Sequence, residues 1–189
     1  MAIATNSQDC INRHVAYPFD IAATEMNDLQ KARLVAMYRL CKGKDRMIDI
    51  GCNSGYAVDF APKAKWYGVD CSMALVEKAC KRGMRADIGN AENLEYHYDN
   101  FFKTAVLGEI LEHVFEPVQV MREAARVAWY SVVGSVPTES SRWGKHTIQG
   151  HKFHVRAFSE QELTDLLSPF GRVKIRTIAN QFYIFEVRL

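Results

Sequence analysis

The chain is poor in the features that mark specialised sequences. It has 5 prolines and 11 glycines in 189 residues, with no repeat and no low-complexity tract, which excludes collagen-like, fibrous and disordered classes. It lacks an excess of either charge: 24 Lys and Arg against 22 Asp and Glu give +2, too little for the field that drives non-specific binding to a phosphate backbone. A nucleic-acid partner is therefore not expected. Long apolar runs are missing too, since stretches such as Val127–Pro137 are about half the roughly 20 residues a membrane helix needs. Met1–Asp9 lacks the charged-then-apolar layout of a secretory signal, so no membrane association and a cytoplasmic location are expected. The 5 cysteines (Cys10, Cys41, Cys52, Cys71, Cys80) are odd in number and contain no C-x-x-C, which argues against a disulfide framework or a zinc knuckle.

What is present is an ordinary globular composition, 48% hydrophobic and 24% charged, at a length that favours one domain. Residues 1–25 are mixed and polar. Asn27–Cys41 then places Leu29, Leu34, Met37, Tyr38 and Cys41 near helical spacing and ends at Lys42-Gly43-Lys44, so residues 1–44 read as an N-terminal helical cap. From residue 45 the pattern alternates strand and helix: Arg46–Ile50 then Tyr56–Ala61, Ala64–Val69 then Ser72–Lys81, Met84–Ile88, and Thr104–Leu107 then Pro117–Arg126. Such alternation predicts an α/β core over 45–189, a doubly wound and mostly parallel sheet with covering helices. Asn90–Lys103 gives no clean helical face, and a short or irregular crossover is expected there. After the apolar run Ala128–Val136 and a polar connection, Ser159 and Glu162 form a capping box for a helix at Ser159–Leu167. Arg172–Ile178 and Phe182–Leu189, three residues apart, predict an antiparallel C-terminal hairpin.

The most informative stretch is Asp49-Ile-Gly51-Cys52-Asn53-Ser-Gly55, an apolar strand running into a small-residue turn before a helix. Gly51 and Gly55 allow positive φ and a close ligand, and the helix start offers N–H groups to a carboxylate or phosphate. In the dinucleotide pattern G-x-G-x-x-G the second glycine makes room for pyrophosphate. Asn53 stands in its place, and Asp49 suits an amino group better than a diphosphate. Nineteen residues past Gly51, a second strand ends in Asp70, where a carboxylate can accept from ribose hydroxyls; a third ends at Asp87-Ile88, where an acid can accept from an amine on a base. Each acid alone can equally organise a turn, and Cys52 and Cys71 inside these turns read as packing residues with backbone contacts at most.

Taken in order, these motifs resemble a class I S-adenosylmethionine-dependent methyltransferase over about Arg46 to Leu189. The resemblance implies a Rossmann-like sheet and S-adenosylmethionine as cofactor, leaving S-adenosylhomocysteine as product. It assigns Asp49, Gly51, Cys52, Asn53 and Gly55 to the glycine-rich motif, Asp70 and Cys71 to the ribose, and Asp87 and Ile88 to adenine. The string Glu109-Ile-Leu-Glu112-His113-Val114 is similar to the small-molecule branch of the family. There an acid follows the fourth strand near the methionine end, here Glu109, and Glu-His-Val opens the next helix. Lys103 departs from relatives that carry Asp at that point.

His146, His151 and His154 lie within nine residues, but no Cys or acidic partner sits at ligand spacing, so no metal site is expected. By the resemblance, the connection Pro137–Phe158 walls the acceptor pocket. His113, His151 and His154 are then candidate general bases, because an imidazole near its ordinary pKa accepts a proton at neutral pH. Tyr17, Phe19 and Arg33 are candidates for a lid, with Arg33 meeting a carboxylate. The expected acceptor is a small molecule methylated on O or N, and the chain is expected to be a monomer or homodimer. Two other readings stay open: a non-catalytic S-adenosylmethionine-binding or interaction module, and a nicotinamide-dependent oxidoreductase. The latter is disfavoured by Asn53 and the antiparallel end of the sheet.

Overall fold

A computed structural model describes residues 6–18, 20, 26–141 and 153–189. Seven strands form one sheet in the order β3-β2-β1-β4-β5-β7-β6. They are β1 (Arg46–Ile50), β2 (Lys65–Asp70), β3 (Arg85–Ile88), β4 (Phe102–Gly108), β5 (Ala128–Pro137), β6 (Arg172–Ile178) and β7 (Phe182–Arg188). The pairs among β1 to β5 are parallel, and β7 runs antiparallel to both β5 and β6. The expected mostly parallel sheet with an antiparallel hairpin is therefore the fold. The central strands are buried on both faces, which is why β4 and β5 read as continuous apolar runs rather than as alternation.

The helices are α1 (Ser7–Ala16), α2 (Asp28–Tyr38), α3 (Ala57–Phe60), α4 (Met73–Lys81), α5 (Pro117–Val127) and α6 (Glu160–Leu167). Capping boxes start α2, through Asn27 and Gln30, and α6, through Ser159 and Glu162. Two apolar clusters lie on the two sides of the sheet. One joins Ile48, Phe102, Leu107, Met121 and Leu163. The other joins Leu34, Met37 and Tyr38 of α2 to Met47, Val106 and Ile184 of the sheet. No helix among the described residues is long and apolar enough to cross a membrane.

Residues 89–101 carry no helix, as the sequence predicts. Arg126 holds this crossover from below: its guanidinium donates to the carbonyls of Leu94 and His97, to Asp99 and to Glu123. Glu123 in turn accepts from the Leu94 N–H at 2.7 Å. The unforeseen element is α1, capped by Asn6, with Asp9 in its first turn and Arg13 and His14 in its last.

Candidate functional site

A cavity of about 450 Å³ opens where the carboxyl ends of β1, β2 and β4 meet α1 and α2. The chain order reverses between β1 and β4, the switch point at which open α/β sheets place ligands. Asp49, Gly51, Cys52, Asn53, Asp70, Cys71 and Glu109 all line it, so the fold gathers most of the residues singled out along the sequence.

At the centre lies the turn after β1. Gly51 and Gly55 have φ of +77° and +80°, and Asn53 is left-handed at +51°. Its N–H groups are already used within the protein. Gly51 and Cys52 donate to the Val69 carbonyl, Asn53 to Asp70, Ser54 to the Asn53 side chain and Gly55 to the Cys52 carbonyl. The expectation that this turn offers N–H groups to an anion is thus corrected, and α3, only four residues long, begins beyond it. A diphosphate finds no cradle there. Gly55 is also corrected: it does not line the cavity, and a Cβ on it would stand 2.9 Å from the Ala79 backbone. It is a packing glycine that lets the turn rest on α4.

The two acids at the strand ends are held differently. Asp49 is buried and accepts a hydrogen bond of 2.8 Å from the Tyr38 hydroxyl. Burial pushes its carboxyl up to about 7, with the Tyr38 bond opposing the shift. Asp70 accepts from the N–H groups of Asn53 and Ser72, each at 2.9 Å. Its carboxyl is raised by burial and held back by these bonds.

At the third strand the expectation is revised. Asp87 and Ile88 are exposed and do not line the cavity, whose wall there is Gly89, Asn90, Ala91 and Glu92. The lining falls to the residues just past the strand.

Glu109 leaves β4 in a left-handed conformation at φ +57°. It accepts from the Ser135 hydroxyl at 2.9 Å; that hydroxyl accepts from Arg33 Nη1 at 2.9 Å, and Arg33 stands 3.7 Å from Glu109 itself. Burial raises the Glu109 carboxyl, while Arg33 and Ser135 pull it down. Arg33 Nε is buried without a hydrogen-bond partner among the described residues. Lys103 is remote from all this, paired with Asp45 at 2.7 Å.

On the far side of Glu109 the chain turns through Glu112-His113-Val114. This is a turn and not the opening of a helix, because α5 begins only at Pro117. The segment 153–156 is pinned against it: the Val155 N–H donates to the Glu112 carbonyl at 2.9 Å, and Arg156 donates to the carbonyls of Val114 and Phe115. His154 thereby meets His113 edge-on, ring centroids 4.5 Å apart, and His14 of α1 meets His113 at 5.0 Å. Burial lowers the pKa of His14. Glu112 is 1% exposed, neither carboxylate oxygen has a hydrogen-bond partner among the described residues, and burial raises its carboxyl well above the ordinary value. His151 and Phe19 lie outside the described residues, and Tyr17 does not line the cavity. Sequence reasoning missed α1, whose Ser7, Cys10, Ile11 and His14 line the cavity; the spacing of Cys10, Ile11 and His14 after an Asn cap was its signal.

Residues 48–129 match the family model of the methyltransferase domain. The match spans less than half of the chain, and it and the fold are consistent with a class I S-adenosylmethionine-dependent methyltransferase. A solved structure similar to this chain is an S-adenosylmethionine-dependent methyltransferase of Thermotoga maritima described as a possible histamine N-methyltransferase. The two are 22% identical with a TM-score of 0.69, over 83% of this chain and 88% of that one. Another, from Archaeoglobus fulgidus, is described as an S-adenosylmethionine-dependent methyltransferase; it is 17% identical with a TM-score of 0.73, over 86% and 94% of the two chains. At these identities the likeness is one of fold. No curated protein sequence matches the chain.

Proposed function

We propose that this chain transfers a methyl group from S-adenosylmethionine to an O or N atom of a small-molecule acceptor. The observation that carries this is that Asp49, Asp70, Arg33 and the Glu112–His113–His154 cluster all line one cavity at the carboxyl edge of the sheet. The cofactor's functional groups fit that lining. Asp70 keeps acceptor capacity beyond its two N–H bonds and takes the ribose hydroxyls, with Asn90 and Ala91 at the base in place of Asp87 and Ile88. Asp49 faces the ammonium group, and Arg33 Nε, an orphaned buried donor, faces the carboxylate of the methionine moiety.

When bound, the cofactor supplies an electrophilic methyl on a sulfonium, which passes to the acceptor by in-line displacement. The chain's part is to hold donor and acceptor at near-attack geometry and to keep water out. Residues 1–44 serve as the cap over the core at 45–189, with α1 covering the cavity. His113 and His154 line the cavity on the acceptor side. A cavity of about 450 Å³ suits a small acceptor beside the cofactor better than a macromolecule.

Calorimetric titration with S-adenosylhomocysteine, with NADH in parallel, tests the first half of this reading; micromolar binding of the former alone is expected. Transfer of labelled methyl to a panel of small hydroxyl and amine acceptors tests the second. Cofactor binding with no transfer across the panel would favour a non-catalytic binding module. Binding of NADH alone would overturn the reading.

A further inference from the structure

Glu112 is the least explained side chain in the molecule. A carboxyl group that is 1% exposed, with neither oxygen hydrogen-bonded among the described residues, is costly to bury unless a partner is brought to it. It faces the cavity, and His113 and His154 stand beside it. One donor atom from each of the three lies within 4.8 Å of the other two. His113 Nε2 is 3.9 Å from Glu112 Oε1.

His113 is also set in the correct tautomer to be a ligand. Its Nδ1 is 3.2 Å from the Phe153 carbonyl. A carbonyl only accepts, so Nδ1 carries the proton and Nε2, the atom that faces Glu112, holds the lone pair. A ring nitrogen fixed by an N–H bond to a backbone carbonyl is the usual support of a metal-bound imidazole.

We infer that Glu112, His113 and His154 form a binding site for one divalent transition-metal cation, which holds the oxygen of a hydroxyl-bearing acceptor. Two imidazoles and a carboxylate suit zinc, cobalt or manganese over magnesium, which prefers oxygen ligands alone. Bonds of about 2.0–2.2 Å require the donors to draw together from their present spacing. The Val155 N–H bond to the Glu112 carbonyl holds the two segments together, so the approach falls to the side chains. Three protein ligands leave coordination positions for the acceptor.

The inference rests on the methyltransferase reading for the role of the cation and on the cluster alone for its presence. A hydroxyl held by the cation would be more acidic and would give up its proton to solvent as the acceptor binds, before the site closes. The O–CH₃ bond then forms as the CH₃–S bond breaks, with the sulfur keeping the electron pair. The cation, rather than a histidine, makes the acceptor oxygen nucleophilic.

The test uses the full chain stripped of metal with a chelator. Cobalt(II) chloride is added while the visible spectrum is followed, and zinc chloride and magnesium chloride are titrated by calorimetry. One equivalent of cobalt with protein-ligand absorption bands is expected, along with tight zinc binding and weak magnesium binding. His154→Ala and Glu112→Gln should each weaken zinc by at least about 100-fold, since losing a mere outer-shell partner of a ligand already costs roughly 10–100-fold. Thermal melts confirm that each variant folds, and Glu112→Gln, nearly isosteric, serves if His154→Ala does not. Metal binding unchanged in both variants, binding of magnesium alone, or no binding below millimolar would overturn the site. S-adenosylhomocysteine is titrated on the same samples: its failure to bind the wild type would sink the methyltransferase reading while leaving the metal result to stand.

Discussion

The Asp70 carboxylate accepts the Asn53 backbone N–H at 2.9 Å, so the acid at the end of β2 and the turn at the end of β1 are one hydrogen-bonded unit. Its other oxygen takes the Ser72 N–H and fixes the start of α4 as well. A ligand that engages Asp70 therefore meets a carboxylate that is already oriented, which lowers the cost of ordering it on binding.

Asp70→Ala is expected to weaken S-adenosylhomocysteine binding by ~10-fold or more, a charge-assisted contact being worth about 1.5–3 kcal/mol. The same change strands two backbone donors, so a loss of about 1–3 kcal/mol in stability should accompany it. Calorimetry and urea unfolding read the two effects separately. Unchanged affinity removes Asp70 from the site.

The pH dependence of the molecule should carry the mark of Asp49. Its folded-state carboxyl, pushed up to about 7 from an ordinary value near 3.8, stays protonated where the unfolded chain has already ionised. A raised acid costs stability as it ionises: its contribution falls as pH rises from about 4 to about 7, then levels off. Asp49→Asn should flatten that part of the profile in urea unfolding at several pH values.

Binding should couple to the same proton. An ammonium group beside Asp49 favours the ionised form, so S-adenosylhomocysteine binding below pH 7 releases a proton and weakens as pH falls. Calorimetry in two buffers of different ionisation enthalpy counts that proton. Tyr38→Phe removes a hydrogen bond that lowers the Asp49 pKa, and should move the effect to higher pH. Identical enthalpies in both buffers would show that Asp49 does not meet the cation.

Gly55→Ala is expected to destabilise by about 2–4 kcal/mol, adding a left-handed penalty to an overpacking term. The clash is with backbone, the Ala79 Cα at 2.9 Å, and cannot be relieved by turning a side chain. Gly51→Ala meets only the Ile110 side-chain tip at 2.7 Å, so denaturant midpoints should rank Gly55→Ala as the more damaging.

Arg126→Ala should unfasten the crossover at residues 89–101. It removes the donor to the Leu94 and His97 carbonyls and leaves Glu123 buried without its cation. A loss of about 2–4 kcal/mol is expected, with hydrogen exchange accelerated first at residues 93–100. Because Gly89 to Glu92 line the cavity, cofactor affinity should fall too.

The glycine turn, the acids at Asp49 and Asp70, and the alternating strands were legible in the sequence because each is a local device: a turn needs its glycine, a buried strand its apolar run, a capping box its spacing of three. The misreadings share the opposite cause. Asp87 and Ile88 carry the right letters at a strand end, but which face a short strand presents depends on its register against β2. Gly55 looked like a ligand contact because sequence shows a positive-φ turn and not the helix behind it. His154, without an acidic partner in its own neighbourhood, gains one in Glu112, 42 residues earlier, only because Val155 and Arg156 pin its segment to that turn. Periodicity and turn chemistry are properties of a few consecutive residues, and they were enough to give the order of strands and helices and the mostly parallel sheet. Which side chains share the cavity is a matter of contacts between distant segments, and only the packing of α1, α2 and residues 153–156 over the sheet decided that.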